Sequence, residues 1–161
     1  MTDQDTYDAL RGTKLAVELT DDQCRTLSRL VELRDLKQGE VLAREGSVDN
    51  HIYVILSGHL GVVKHAGSSE AITINTLAPG DFVDEMGFMD GTEAYASKVA
   101  LGDTQVLGLE REKLESLLAA EPLIVYRVMR AIIRVVHQIQ RRLSMHQMEL
   151  SNYIYKQHGR Y

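Results

Sequence analysis

The hydrophobic and polar positions divide the chain into helical stretches near its two ends and a strand-rich middle. Near the N-terminus, Thr20 and Gln23 have the spacing of a capping box, which marks the start of a helix. Leu27 and Leu30 follow at helical spacing and give this segment one apolar face. We therefore expect a short helix that begins at Thr20, ends near Leu33 and packs on the body of the domain.

The middle of the chain, residues 31–109, has short apolar or alternating runs that are typical of strands. Glycines separate these runs at intervals of 7 to 13 residues, which is the turn spacing of an all-β sandwich or barrel. No helix-length periodic segment interrupts them, which makes a parallel βαβ fold improbable. The predicted strands are residues 41–43, 52–56, 60–63, 71–77, 98–101 and 105–109.

Helical spacing returns after residue 109. Leu114, Leu117 and Leu118 lie on one face of a second short helix, predicted over residues 110–119. Pro122 suits the first turn of a third helix, and neither Gly nor Pro recurs before Gly159. The sequence therefore predicts a C-terminal helix of more than thirty residues.

Apolar residues of this long helix alternate at spacings of four and three, which is typical of a two-stranded coiled coil. A flanking row, residues 124, 128, 131 and 135, is expected to cover the strands. We predict a homodimer through the helix, and the alternative is that the stripe packs against its own domain. The predicted interface residues are Val125, Met129, Ile132, Val136, Ile139, Leu143 and Leu150, and His146 and Tyr153 continue the same stripe.

Composition and charge narrow the function. The length of 161 residues fits a single domain, 1–161, and the net charge is −5. Residues 122–161 hold seven basic residues against Glu149, so the helix is basic and the rest of the chain acidic. We favour intramolecular attraction over nucleic-acid contact for the outer arginines of the helix, and we expect no direct DNA binding. Those arginines are Arg127, Arg130, Arg134 and Arg141.

The sequence also indicates the cellular compartment and the kinds of chemistry to expect. The first nineteen residues have neither the apolar core of a signal peptide nor a membrane-spanning run, so we expect a cytoplasmic protein with no membrane partner. The lone Cys24 excludes an intrachain disulfide and a multi-cysteine metal site. Recognised catalytic motifs are absent and the six histidines lack ligand spacing, so we expect neither an enzyme nor a metal protein.

Several local motifs resemble the cyclic-nucleotide-binding domain of the cAMP receptor protein family. The resemblance covers roughly residues 15–150. It implies a mainly β fold with α: a double-stranded β-roll, or jelly roll, with a short N-terminal helix in 15–109 and a long dimerisation helix in 110–157. The matching segments are Gln38-Gly39-Glu40-Val41-Leu42, Arg44-Glu45-Gly46, residues 52–58, Pro79-Gly80-Asp81-Phe82 and Glu85-Met86-Gly87-Phe88.

The last segment resembles the start of the family's phosphate-binding cassette, in which Glu85 would bind a ribose hydroxyl. The family has Gly before this Glu, and Arg followed by Ser or Thr at the far end of the cassette. Here Asp84, Tyr95 and Ala96 stand at those positions, and these changes oppose the binding of a cyclic phosphate. Lys98 is expected to point to the opposite face of its strand.

Two residues of the long helix complete the candidate site. Arg142 is expected on the flank that faces the β-roll and is the preferred substitute for the missing cation, and an exposed position remains the alternative. His146, one turn further along the helix, is the second of these two residues. The predicted ligand-binding residues are Asp84, Glu85, Met86, Gly87, Phe88, Tyr95, Ala96, Arg142 and His146.

Two functions follow from these residues. The first is a sensor that binds a small ligand, a cyclic nucleotide or another anionic or apolar molecule, and signals through the homodimer helix to a partner protein. The second is a ligand-free, degenerate domain that acts as a dimeric interaction module. No permanent cofactor is expected. Transcription factors of the family continue into a helix-turn-helix domain, whereas this sequence ends soon after the long helix, so direct gene regulation would require another protein unless this sequence is a piece of a longer chain.

Overall fold

Two four-stranded antiparallel sheets form the body of the domain in the computed structural model, which describes residues 2–158. Their strand orders are β1-β8-β3-β6 and β2-β7-β4-β5. This architecture confirms the predicted β-roll. The strands are β1 (Val31–Leu36), β2 (Val41–Ala43), β3 (His51–Ser57), β4 (Leu60–Lys64), β5 (Ile72–Leu77), β6 (Phe82–Val83), β7 (Ser97–Ala100) and β8 (Thr104–Glu110).

Helices flank the β-roll at both ends of the chain, as predicted. Gly159, which the sequence places after the last helix, lies outside the described residues. The helices are α1 (Asp3–Arg11), α2 (Asp21–Ser28), α3 (Glu85–Asp90), α4 (Arg111–Glu115) and α5 (Pro122–His158), with a 3-10 turn at Lys14–Ala16.

Strand β3 shows how the apolar run at residues 52–55 is used. Ile52 and Val54 point from one face into a cluster shared with the helices. Tyr53 and Ile55 point from the other face into a second cluster inside the roll. Because side chains alternate across a strand, a strand buried on both faces must be continuously apolar. The domain therefore has two cores, one on each side of this strand.

The N-terminal region differs from the sequence prediction in two respects. Helix α2 does begin at the Thr20 cap, with the reciprocal Thr20 and Gln23 bonds in place. It ends at Ser28 rather than near Leu33, because residues 31–36 pair with β8 as strand β1. Helix α1 was not predicted, although Thr2 and Asp5 form a capping box at its start.

Helix α4 is also shorter than predicted and ends at Glu115. Helix α5 confirms the predicted long helix, and its first half packs on the body through Ile124, Val128 and Ile132. From residue 137 to residue 157 every side chain is exposed. This exposed half of α5 extends roughly 30 Å at 1.5 Å per residue. None of the helices within residues 2–158 has the length and apolar character needed to span a membrane.

In the first half of α5, the stripe predicted as a dimer interface packs against its own domain, which was the alternative interpretation. Val125 and Ile132 are buried in the core of their own domain, and Met129 and Val136 pack against the same cluster. The reason is that the 3-10 turn, which was not predicted, contacts α5 and helps to cover this stripe. The remaining predicted interface residues, Ile139, Leu143 and Leu150, are exposed.

The basic helix and the acidic body do attract each other. Glu18 pairs with Arg134 at 3.0 Å and with Arg130 at 3.4 Å. Arg127 donates a hydrogen bond to the side-chain oxygen of Gln23 at 2.7 Å. Two of the four outer arginines therefore pair with an acidic side chain of the body, as the intramolecular interpretation of the charge predicts, and a third contacts a neutral side chain.

Candidate functional site

A cavity of about 400 Å³ lies where the β-roll, helix α3 and helix α5 meet, and we call it the cassette cavity. Half of its lining residues come from α3 and its flanking loops, β5 and β6 contribute two each, and β7 contributes Lys98 alone. The long helix contributes one residue, Ile139. The lining residues are Ser47, Asp49, Asn75, Leu77, Phe82, Val83, Asp84, Glu85, Met86, Gly87, Thr92, Glu93, Ala94, Tyr95, Lys98 and Ile139.

The backbone of the cassette depends on two residues. Asp84, which precedes α3, has φ of 60°, in the left-handed region that Gly adopts freely and that Asp and Asn tolerate better than other residues. Asp84 therefore adopts a backbone turn that Gly would also fit. A Cβ on Gly87 would lie 3.0 Å from the carbonyl oxygen of Asp49 and 3.2 Å from that of Thr92. Helix α3 packs this closely only because residue 87 lacks a side chain.

An ion pair lies in the wall of the cassette cavity. Lys98 Nζ is 2.9 Å from Asp84 Oδ1, and both side chains are only 6% exposed. Lys98 Nζ also donates to the carbonyl oxygen of Ala96 at 3.2 Å and lies 5.2 Å from the ring centroid of Tyr95. The prediction that Lys98 points away from the site is therefore wrong. Strand β7 begins only at Ser97, so side-chain alternation does not relate residue 95 to residue 98.

At the start of α3, one carboxylate has an oxygen that is unpartnered in the described part of the chain, and the next has a raised pKa. Asp84 Oδ2 is buried and has no hydrogen-bond partner within residues 2–158. Burial raises the pKa of Glu85 above its usual range, and the nearby Asp84 raises it further, while the backbone N–H of Glu85 and the ammonium of Lys98 act in the opposite direction. Both carboxylates belong to residues that line the cavity.

The lining of the cassette cavity is acidic. It includes the carboxylates of Asp49, Asp84, Glu85 and Glu93, and Lys98 is the only Lys or Arg among the described lining residues. Asp49 is already engaged, because Tyr53 Oη donates to its Oδ2 at 3.1 Å and its Oδ1 lies 2.9 Å from His51 Nδ1. The lining therefore opposes an anionic ligand. Within residues 2–158 no three His, Cys, Asp or Glu side chains are grouped so that they could hold a metal ion.

The structure brings together five of the nine predicted ligand-binding residues. Those that line the cavity are Asp84, Glu85, Met86, Gly87 and Tyr95.

The other four do not line it. Phe88 and Ala96 are buried behind the wall, and Arg142 and His146 lie on the exposed half of α5. The single chain does not bring Arg142 to the cavity as a substitute cation, because the body ends before that turn of the helix. Ile139, predicted only as an interface residue, lines the cavity instead.

Comparison with known proteins identifies the family. The family model described as "Cyclic nucleotide-binding domain" matches residues 33–121, more than half of the chain. The chain belongs to the cyclic nucleotide-binding domain family. Its fold is similar to that of a cyclic nucleotide-binding domain from Methylobacillus flagellatus, with a TM-score of 0.75 and 23% identity over 87% of this chain and 80% of the other.

Two further proteins are similar to this chain. The cyclic AMP receptor protein of Thermus thermophilus is 26% identical over 84% of this chain, and the chain spans 63% of the length of that protein. A regulatory subunit of a cAMP-independent protein kinase A from Trypanosoma cruzi, in a structure with guanosine bound, has a TM-score of 0.62 and 18% identity over 76% of this chain and 42% of the other.

Proposed function

We propose that this chain is a regulatory domain that binds a small ligand in the cassette cavity and signals its presence through helix α5 of a homodimer. The observation that carries this proposal is the position of Ile139. This residue lines the cavity and also begins the exposed apolar stripe of α5, four residues before Leu143. A ligand in the cavity would therefore contact the helix where it leaves the body of the domain.

The signal follows from a difference in affinity between two positions of the helix. A ligand that contacts Ile139 in one position and not in the other shifts the equilibrium toward the first. Leu143 and Leu150 are more than 60% exposed in the single chain. A second copy of the helix would cover this row of apolar side chains in a coiled coil, so a movement of the helix would change the dimer.

A second candidate is the ligand-free interaction module. The Asp84–Lys98 ion pair favours it, because the cation of the cavity wall already has an anionic partner. The trypanosome kinase subunit, whose fold is similar, has guanosine bound in its structure, and guanosine is a nucleoside without a phosphate. We therefore place the sensor first. In both proposals the chain acts in the cytoplasm through a partner protein, without catalysis and without contacting DNA.

Native mass spectrometry of the freshly purified full chain tests the sensor. Ala94→Phe adds a large side chain to the wall of the cavity, and Ala66→Phe adds the same side chain in the exposed turn between β4 and β5. A small molecule carried by the wild type and by Ala66→Phe, but lost in Ala94→Phe, supports the proposal. A wild type that carries no small molecule and gains no thermal stability from an extract of small metabolites contradicts it and favours the interaction module.

A further inference from the structure

We propose that the cassette cavity selects an uncharged ligand that donates hydroxyl hydrogens, with a nucleoside as the test case, and excludes the corresponding cyclic phosphate. This inference rests on the proposed function, because it names the class of ligand for the same cavity. It is carried by the Asp84–Lys98 pair together with the unpartnered oxygen of Asp84.

Lys98, the cation of the cavity wall, already has an anionic partner. The ammonium of Lys98 lies 2.9 Å from Asp84 Oδ1 and also donates to the Ala96 carbonyl oxygen. A phosphate that approached Lys98 would also approach the carboxylate of Asp84 and would lie near Glu85. Like charges in a partly buried site repel strongly, so Lys98 offers little net attraction to an anion.

A residue of the cavity wall also carries a hydrogen-bond acceptor without a donor in residues 2–158. Asp84 Oδ2 is buried on a residue of the cavity wall and lacks a partner within the described residues. A buried acceptor without a donor costs free energy, so a ligand hydroxyl that this carboxylate meets after a small rotation of its side chain gains affinity there. At neutral pH the phosphate group of a 3′,5′-cyclic nucleotide presents only acceptor oxygens, and it replaces the 3′ and 5′ hydroxyl donors that the nucleoside retains. A hydroxyl donates a hydrogen to a carboxylate, and its oxygen accepts one from an ammonium.

Other lining residues of the cassette cavity offer a further carboxylate and apolar surface. Glu85 lies next to Asp84 and provides a second carboxylate for hydroxyl donors. Met86 and Ile139 add apolar surface against which a flat ring can pack. The volume of about 400 Å³ lies within the range that holds small organic ligands. A compound with a flat ring and neighbouring hydroxyls, but without a charge, therefore matches the wall.

Titration calorimetry of the full chain at neutral pH tests the ligand class with matched probes: adenosine and guanosine against 3′,5′-cyclic AMP and 3′,5′-cyclic GMP. We expect at least one nucleoside to bind about tenfold or more tightly than its cyclic phosphate, because an unpaired buried charge weakens binding by at least that factor. Asp84→Gly keeps the left-handed turn and releases Lys98, so it should weaken nucleoside binding and strengthen cyclic phosphate binding. Asp8→Asn, on the exposed face of α1, should change neither affinity.

The outcomes separate this inference from the proposed function. A wild type that binds a cyclic phosphate as tightly as its nucleoside, or more tightly, overturns the ligand class and leaves the sensor in place. The ligand class also falls if no probe binds but the purified chain carries another compound that Ala94→Phe loses. If no probe binds and no compound is carried, both proposals fall.

Discussion

Replacing Lys98 by Met should destabilise the folded domain by about 3–5 kcal/mol at pH 7. The Lys98 and Asp84 side chains are each 6% exposed and their charged atoms lie 2.9 Å apart. Removing one member of a buried pair leaves the other as an uncompensated charge, and that loss typically costs about 3–5 kcal/mol. This is a large part of the roughly 5–15 kcal/mol that stabilises an ordinary protein.

Two further variants make the prediction specific. The double variant Asp84→Asn with Lys98→Met removes both charges, and Asn tolerates the left-handed backbone at residue 84, so it should recover most of the loss. Lys64→Met is the matched control, because Lys64 pairs with Glu45 at 2.6 Å but its side chain is 38% exposed. That pair is near the surface and should contribute no more than about 1 kcal/mol.

The assay is equilibrium unfolding in urea at one fixed protein concentration, followed by far-UV circular dichroism. The fixed concentration is needed because the stability of a dimer depends on it. The free energies of the four proteins are compared only if their slopes against urea agree. A cost below about 1 kcal/mol for Lys98→Met, or a double variant as unstable as the single one, would refute the argument that this pair is buried and coupled.

The remaining predictions concern the dimer and the carboxyl group of Glu85. The double variant Leu143→Asp with Leu150→Asp should sediment as a folded monomer. Ile132→Asp should instead unfold the chain, because Ile132 is buried in the core of its own domain. If the double variant remained a dimer, the interface would lie elsewhere. Burial raises the pKa of Glu85 above its ordinary value of 4.5, so its contribution to stability is complete below that pH and is lost as the pH rises through the raised pKa. Urea unfolding from pH 4 upward should therefore show the wild type losing stability relative to Glu85→Gln, and parallel curves would contradict the burial of this group.

The fold was largely predictable because its signals are local. The absence of Gly and Pro after Pro122 predicted α5, and the apolar run at residues 52–56 predicted β3. The N-terminal errors have a local cause as well. Val31 fits the helical spacing of Leu27 and Leu30, and only its pairing with Leu109 of β8 makes it a strand residue.

The site was less predictable because it depends on contacts between distant segments. Asp84 and Tyr95 could be recognised as departures from the family pattern. The sequence gives no sign that Lys98 pairs with Asp84, since that contact depends on where β7 begins. The spacing of Ile139 assigns it to an apolar stripe. Only the packing of α5 against the body shows which residues of that stripe are buried, and that Ile139 lines the cavity.

The left-handed backbone at Asp84 has a consequence for how such a domain can change its ligand. Glycine and aspartate codons differ at the middle base alone when the third base is a pyrimidine, so a single transition exchanges the two residues. Both residues fit the turn at residue 84, and therefore the exchange need not disturb the helix that follows. The same exchange adds or removes the carboxylate that engages Lys98. The proposed change between a neutral and an anionic ligand would thus begin with one point mutation at residue 84, with Tyr95 and Ala96 still opposing a cyclic phosphate.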